Sequence, residues 1–365
     1  MKKKLLFVIP NLMGGGAERV LVNLVNALDK EKFDVTLLSI FDCGINKSDL
    51  SDAVHYRCIY KRQFRGNSRL FALFSPEKLH DMFIKETYDV EIAFLEGVAA
   101  RIVSGCTKKC TKKVCWIHTS VAAPDVFVKG FRNLTEAQSC YQRFDAAVCV
   151  SQSVKQDFDR QAGPDATVLY NPLDGEKILT KANENATLLV NDGLPSVCAV
   201  GKLEPVKGFE RLIPICAALR SAGIPVRFYI LGEGSAFGAL SALIGKYDVG
   251  DLFSLSGFQE NPYAVMAKCD VFVCSSRREG FSSVTAEAMF CKTPVVTVDV
   301  PGMRELVGDC GLICENNDEA LYNALKTMLT DGQLRAQCAA RAFARVQQFD
   351  RQHAVGAIEE FLWDL

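Results

Sequence analysis

The chain has 365 residues, 49% of them apolar, with 42 Lys and Arg set against 43 Asp and Glu. That length allows two domains of ordinary size, and the composition is that of a globular chain rather than a disordered or fibrous one. A charge so nearly balanced argues against a dedicated nucleic-acid binder, and no segment approaches the roughly 18 apolar residues of a membrane span.

The balance hides an asymmetry. Residues 1–172 carry 24 Lys and Arg against 19 Asp and Glu, and the remainder carries 18 against 24. The fifteen cysteines do not read as a disulfide scaffold, because most lie inside apolar runs such as Val148-Cys-Val150 and Leu312-Ile-Cys314, where a thiol packs as a small hydrophobe. Lys2-Lys-Lys4 precedes too few apolar residues for a signal peptide. A reducing cytoplasm is the expected compartment.

Lys4–Pro10 is a continuous apolar run, the pattern of a strand covered on both faces of a parallel sheet. It leads through Gly14-Gly15-Gly16 into an apolar helix over 20–28, and strand, glycine loop and helix open a doubly wound domain. Arg19 stands where a dinucleotide fingerprint needs its third glycine, so that fingerprint is absent. Asp34–Ile40 and Asp89–Phe94 are the next strands predicted. Between them, Tyr60–Phe74 mixes basic and aromatic residues. Near an anionic membrane each cation would contribute about 1 kcal/mol, so peripheral docking on the inner membrane competes with an ordinary solvated surface. Cys106, Cys110, Cys115 and His118 match no standard zinc or iron–sulfur spacing, and no metal is expected. His118 closes an apolar strand, Val114-Cys-Trp-Ile-His118. A further strand over 144–151 and the turn Asn171-Pro172 complete the first domain, and the boundary is placed after Pro172.

The second half begins again with a strand, Ser196–Val200. Lys202 and Lys207 follow among glycines, two cations suited to a diphosphate leaving group. Val226–Leu231 runs into Gly232-Glu-Gly234, and Leu252–Phe258 is a strand whose Phe258 is expected chiefly in the core. The chemistry concentrates after the strand Asp270–Cys274. Glu279 lies in a loop, Gly280, Phe281 and two serines follow, and a helix predicted over about 282–291 carries Glu287. The first-turn amides of such a helix have no intrahelical acceptors and sit at its positive end, so they suit a phosphate near Ser283 and Val284. A diphosphate there would have a carboxylate on each side, each able to accept from sugar hydroxyls. Residues 352–365 form a last predicted helix.

Glu279-Gly280-Phe281, then Glu287-Ala288-Met289 and Pro294-Val295-Val296, resemble the signature of family 4 of the retaining nucleotide-sugar glycosyltransferases. Gly15-Gly16-Ala-Glu-Arg19, His118, Asn171-Pro172 and Lys202–Gly208 resemble the family's other motifs, in the same order. The resemblance implies the GT-B fold: two Rossmann-like α/β domains facing across a cleft. An acceptor domain would span 1–172 together with the helix at 352–365, and a nucleotide-sugar domain 173–351. It also implies roles. His118 stands close to the transferring sugar, Glu279 contacts its hydroxyls, and Lys207 and Lys202 meet the diphosphate. Glu287 takes the ribose, and Gly15, Gly16, Gly280, Phe281, Ser283 and Val284 line the donor site. Lys202 replaces the family's usual Arg, and Lys292 and Pro301 stand where glycine is usual.

The reaction implied is retaining, metal-independent transfer from a nucleoside-diphosphate sugar, with UDP favoured and no cofactor. The acceptor would be a glycan or lipid-linked glycan of a bacterial cell-surface polysaccharide or lipopolysaccharide. The alternatives are a nucleotide-sugar epimerase on the same fold and a catalytically silent sugar-nucleotide-binding subunit.

Overall fold

A computed structural model describes residues 2–13, 15–161 and 163–365. Of the three successive glycines, Gly14 lies outside the described residues. The chain divides into two compact units, Met1–Leu173 with Arg351–Leu365, and Asp174–Asp350.

The first unit holds a seven-stranded sheet of β1 (Lys3–Ile9), β2 (Phe33–Phe41), β3 (His55–Tyr60), β4 (Val90–Ala93), β5 (Lys112–Ile117), β6 (Ala146–Cys149) and β7 (Ala166–Val168). Its spatial order is β3-β2-β1-β4-β5-β6-β7, and every pairing is parallel. The second unit repeats the scheme with β8 (Ser196–Val200), β9 (Arg227–Leu231), β10 (Phe253–Leu255), β11 (Val271–Cys274), β12 (Val295–Val298) and β13 (Leu312–Cys314). They are ordered β10-β9-β8-β11-β12-β13, again all parallel. In both sheets the order reverses once, between β1 and β4 and between β8 and β11. At such a reversal the loops leaving the carboxyl ends of two neighbouring strands splay to opposite faces, which leaves room for a ligand.

The central strands are apolar throughout because helices cover both faces: Leu5–Ile9 of β1 and all four residues of β11 are buried. Helix Gly16–Ala27 buries Val20, Leu21, Val22, Leu24 and Val25, a broad apolar face at helical spacing. The final helix, Arg351–Asp364, rests on the first unit. Its Glu359 accepts the Asp29 amide at 2.6 Å, and Trp363 sits edge-on to Phe33.

Strand β3 corrects the sequence reading, which passes from β2 directly to Asp89–Phe94. It is an edge strand bonded only to β2, and none of its residues is buried. An edge strand need not be apolar on both faces, so the run of hydrophobics that marks the interior strands is missing.

The first core also contains charge. Glu91, in the middle of β4, is completely buried and lies 2.9 Å from His80 Nε2. Cys106 lies 3.7 Å from the other carboxylate oxygen. Burial opposes protonation of His80, but Cys106 and Glu91 outweigh it and raise the imidazole pKa to about 9. The imidazole is therefore protonated at neutral pH, which places a cation beside the buried Glu91. All fifteen cysteines are free thiols, and no described helix is long and apolar enough to cross a membrane.

Candidate functional site

The reversal point of the second sheet brings together the loops that follow β8 and β11. Lys207 comes from the first and Glu279 from the second, and their Nζ and Oε1 atoms lie 2.6 Å apart. Ser276 donates to the same oxygen at 2.6 Å. Burial works against the Lys207 charge, but attraction to Glu279 and the hydrogen bond between them hold its pKa above the ordinary value. The two loops are joined through backbone as well. Ser275 Oγ donates to the Lys207 carbonyl at 2.9 Å, and the buried Arg211 donates to the Ser275 carbonyl at 3.2 Å. Arg211 is itself held by Asp318 at 2.6 Å and Asn316 at 2.7 Å. Gly208, at φ +65°, closes the first loop, and a Cβ there would come within 2.4 Å of the Ser275 carbonyl.

The loop after β11 runs into helix Ser283–Phe290, one residue shorter at either end than the sequence predicts. Ser283 and Val284 occupy its first turn, half-buried. Gly280 packs under Gly302, whose φ is +80°; a Cβ on Gly302 would lie 2.1 Å from the Gly280 carbonyl. Phe281 turns its ring away from solvent onto Phe349, with centroids 5.2 Å apart, so what it can offer a ligand is backbone. Glu287 is buried, with the Tyr263 hydroxyl 3.3 Å from Oε1. Lys202 is exposed. Phe258 is 47% exposed, which corrects its expected place in the core: it lies beyond the end of β10, outside the covered sheet.

The first unit carries a second group of residues. His118 stands just past the end of β5, and its Nε2 is buried without a hydrogen-bond partner. Burial lowers its pKa to about 3, so the imidazole is neutral at physiological pH. The Phe94 ring lies 4.6 Å away, centroid to centroid. Glu96 accepts from the backbone amides of both His118 and Thr119. Gly15 precedes helix Gly16–Ala27, and Gly16 faces open space. Neither glycine has positive φ; a Cβ on Gly15 would lie 2.0 Å from the Glu18 carboxylate, so only Gly16 leaves room beside the backbone.

The Tyr60–Phe74 stretch separates into two faces. Tyr60, Phe64 and Phe71 pack together with Phe41 and Phe83, while Lys61, Arg62, Arg65, Arg69, Leu70 and Leu73 are exposed. Sequence reasoning did not identify Ser276, Arg211, Tyr263 or Glu96. All four act through backbone or through another side chain, and no motif spacing reports that. Glu96 alone left a trace, a carboxylate followed by glycine just past an interior strand.

Two family models match successive halves of the chain. Residues 14–177 match that of Glycosyltransferase Family 4, and residues 180–345 match that of Glycosyl transferases group 1. The chain belongs to the family-4 glycosyltransferases. Among relatives of this glycosyltransferase, the lipopolysaccharide core biosynthesis glycosyltransferase LpsE of Rhizobium meliloti is 26% identical over 95% of this chain and 96% of its own. The N-acetylgalactosamine-N,N'-diacetylbacillosaminyl-diphospho-undecaprenol 4-alpha-N-acetylgalactosaminyltransferase of Campylobacter jejuni is 38% identical over 188 residues. That match spans half of each chain. HepE of Anabaena, solved with UDP and glucose, superposes with a TM-score of 0.81 at 23% identity over the whole of both chains. Sucrose-phosphate synthase of Thermosynechococcus elongatus does so with a TM-score of 0.82 at 17% identity, over 100% of this chain and 99% of its own. The glycosyltransferase therefore has the GT-B fold, two parallel-sheet Rossmann-like domains.

Proposed function

We propose that this glycosyltransferase moves a hexosyl or N-acetylhexosaminyl group from a UDP-sugar to a glycan or lipid-linked glycan acceptor. Transfer retains the anomeric configuration and uses no metal, in the assembly of a cell-surface polysaccharide or lipopolysaccharide. The observation that carries the reading is the Lys207–Glu279 pair at the reversal point of the second sheet, one loop away from the first turn of helix Ser283–Phe290. An ammonium and a row of backbone amides answer a diphosphate, and a carboxylate beside them answers sugar hydroxyls. The Campylobacter relative, named for transfer of N-acetylgalactosamine to a diphospho-undecaprenol-linked glycan, supports the acceptor class.

In this reading Lys202, Lys207 and the amides near Gly280, Ser283 and Val284 balance the charge that develops on the leaving diphosphate, the task a divalent cation performs in other sites. Glu287, oriented by Tyr263, accepts from the ribose. The acceptor hydroxyl oxygen bonds to the anomeric carbon as the bond from that carbon to the β-phosphate oxygen breaks. The hydroxyl proton passes to a departing phosphate oxygen, so attack and departure share one face and configuration is retained. Neutral His118 donates to or accepts from the sugar without adding charge.

Thermal stabilisation by UDP-, GDP-, ADP- and CMP-sugars, repeated on Glu287→Ala, tests the donor site. A ligand at 100 times its dissociation constant should stabilise by about 2.7 kcal/mol. A UDP-sugar should raise Tm in the wild type and not in the variant. Stabilisation by no nucleotide, or an equal shift in the variant, would remove the donor site as drawn. Transfer that survives EDTA and gives the donor's anomeric configuration by NMR tests the remaining two claims.

A further inference from the structure

We infer that Glu96 is a positioning residue: one of its carboxylate oxygens clamps the two consecutive backbone amides that carry His118, and thereby sets where the imidazole stands. The inference rests on the reading of His118 above. Where a chain leaves the end of a parallel strand its amides lose their ladder partners and must find others. At the end of β5 those amides belong to His118 and Thr119, and both donate to Glu96 Oε1, Thr119 at 2.9 Å. Glu96 itself comes from just beyond β4, the strand bonded to β5. The clamp therefore crosses from one strand end to the next at the carboxyl edge of the sheet. Charge-assisted bonds of this type are shorter and stronger than those between neutral groups.

The turn that presents Glu96 is closely packed. Gly97 has φ +82°, and a Cβ there would lie 2.6 Å from the Lys129 carbonyl, so this chain is pressed against a second segment. Gly130 meets it from the other side: a Cβ on Gly130 would come within 2.6 Å of the Val98 amide nitrogen. The carboxylate is enclosed although the residue keeps some exposure. Burial pushes its pKa up, while the Thr119 and His118 amides and the Lys129 charge pull it back.

The His118 ring lacks an anchor of this kind. Its Nε2 makes no hydrogen bond, and its neighbours are the Phe94 ring at 4.6 Å and the Trp116 ring at 6.5 Å. Aromatic contacts limit the tilt of a ring but bond neither nitrogen. The position of the imidazole thus follows the backbone at 118–119, which Glu96 holds. Glu96 needs no contact with donor or acceptor to matter.

The test compares Glu96→Gln, Glu96→Ala and Glu96→Asp in the full chain. Gln keeps an oxygen at the same reach. Ala removes it, and Asp keeps the charge but falls short by one methylene, which serves if the Ala variant does not fold. Turnover should fall on the order of 10–100-fold in Ala and Asp, as misplacement by about 1 Å does. UDP affinity should be unchanged, and Gln should retain most of the rate. The chain has four histidines, so the His118 ring resonance is readily assigned by substitution; it should move in Ala and Asp and stay in Gln. Wild-type turnover in Ala, or equal loss in Gln with an unmoved resonance, would overturn the inference. If the wild type transfers no sugar, the functional reading fails, and the His118 resonance still decides whether Glu96 places the ring.

Discussion

Lys207 and Glu279 neutralise each other across two loops, their charged atoms 2.6 Å apart, and the carboxylate also holds the Ser276 hydroxyl. Each is assigned a different part of the donor, the diphosphate for the lysine and the sugar for the glutamate. Replacing one therefore changes what the other can do. Glu279→Gln leaves the Lys207 ammonium without its carboxylate, so UDP should bind equally well or up to about 10-fold tighter while transfer collapses. Lys207→Ala should weaken UDP by about 10- to 100-fold, the worth of a charge-assisted bond. Calorimetric titration with UDP checks both. If the two variants weaken UDP alike, the pair is a structural brace and not two separate donor contacts.

Gly302 tests whether the loop frame matters as much as the side chains on it. Gly302→Ala places a Cβ 2.1 Å from the Gly280 carbonyl at φ +80°, so Gly280 must move. Gly223 has φ +76° but faces open space, so Gly223→Ala carries only the backbone strain, about 1–2 kcal/mol. Denaturant unfolding should show a larger loss for Gly302→Ala than for Gly223→Ala, and only the former should lose stabilisation by nucleotide.

The buried His80–Glu91 pair makes stability depend on pH in the alkaline direction. With a folded-state pKa near 9 and an ordinary value of 6.5, the native state binds the extra proton between those limits. The contribution is complete below about pH 6.5 and is lost as the pH rises through about 9. His80→Gln should be less stable overall, because Glu91 loses its cation, and should show a flatter Tm profile across that window. His118 has the opposite sign: with its pKa lowered to about 3, it makes stability rise from about pH 3 to 6.5. A wild-type profile that is level from pH 6.5 to 9 would rule out the ionic pair.

The exposed face of Lys61, Arg62, Arg65, Arg69, Leu70 and Leu73 predicts binding to anionic vesicles. At about 1 kcal/mol per cation, reversing Arg62 and Arg65 to Glu should lower the partition coefficient by at least about 30-fold. Raising salt should act in the same direction. Cosedimentation with phosphatidylglycerol vesicles measures it. Partitioning that is indifferent to both changes would mean that this face is merely solvated.

Much of this molecule was legible before any coordinates. Interior strands such as β1 and β11 announce themselves because a parallel sheet covered on both faces requires unbroken apolar runs. Loops bearing Lys207 and Glu279 stand out because glycine, charge and the end of an apolar run coincide there. Edge strand β3 was not legible: its residues obey a weaker constraint, and no run of hydrophobics separates it from a loop. Phe258 misled for a related reason, since an aromatic after a strand looks like core until the covering elements are known.

Local sequence by itself determined which elements form and which residue types stand at their ends, because periodicity, glycine conformation and helix-end polarity act within a few residues. It also determined the family, through motifs that keep their order along the chain. Tertiary structure alone decided the partnerships: Lys207 with Glu279, 72 residues apart, Glu96 with the amides of His118 and Thr119, and His80 with Glu91. A hydrogen bond or ion pair depends on distances near 3 Å between groups that the chain separates widely, and those distances exist only after the sheets have set the ends of their strands side by side.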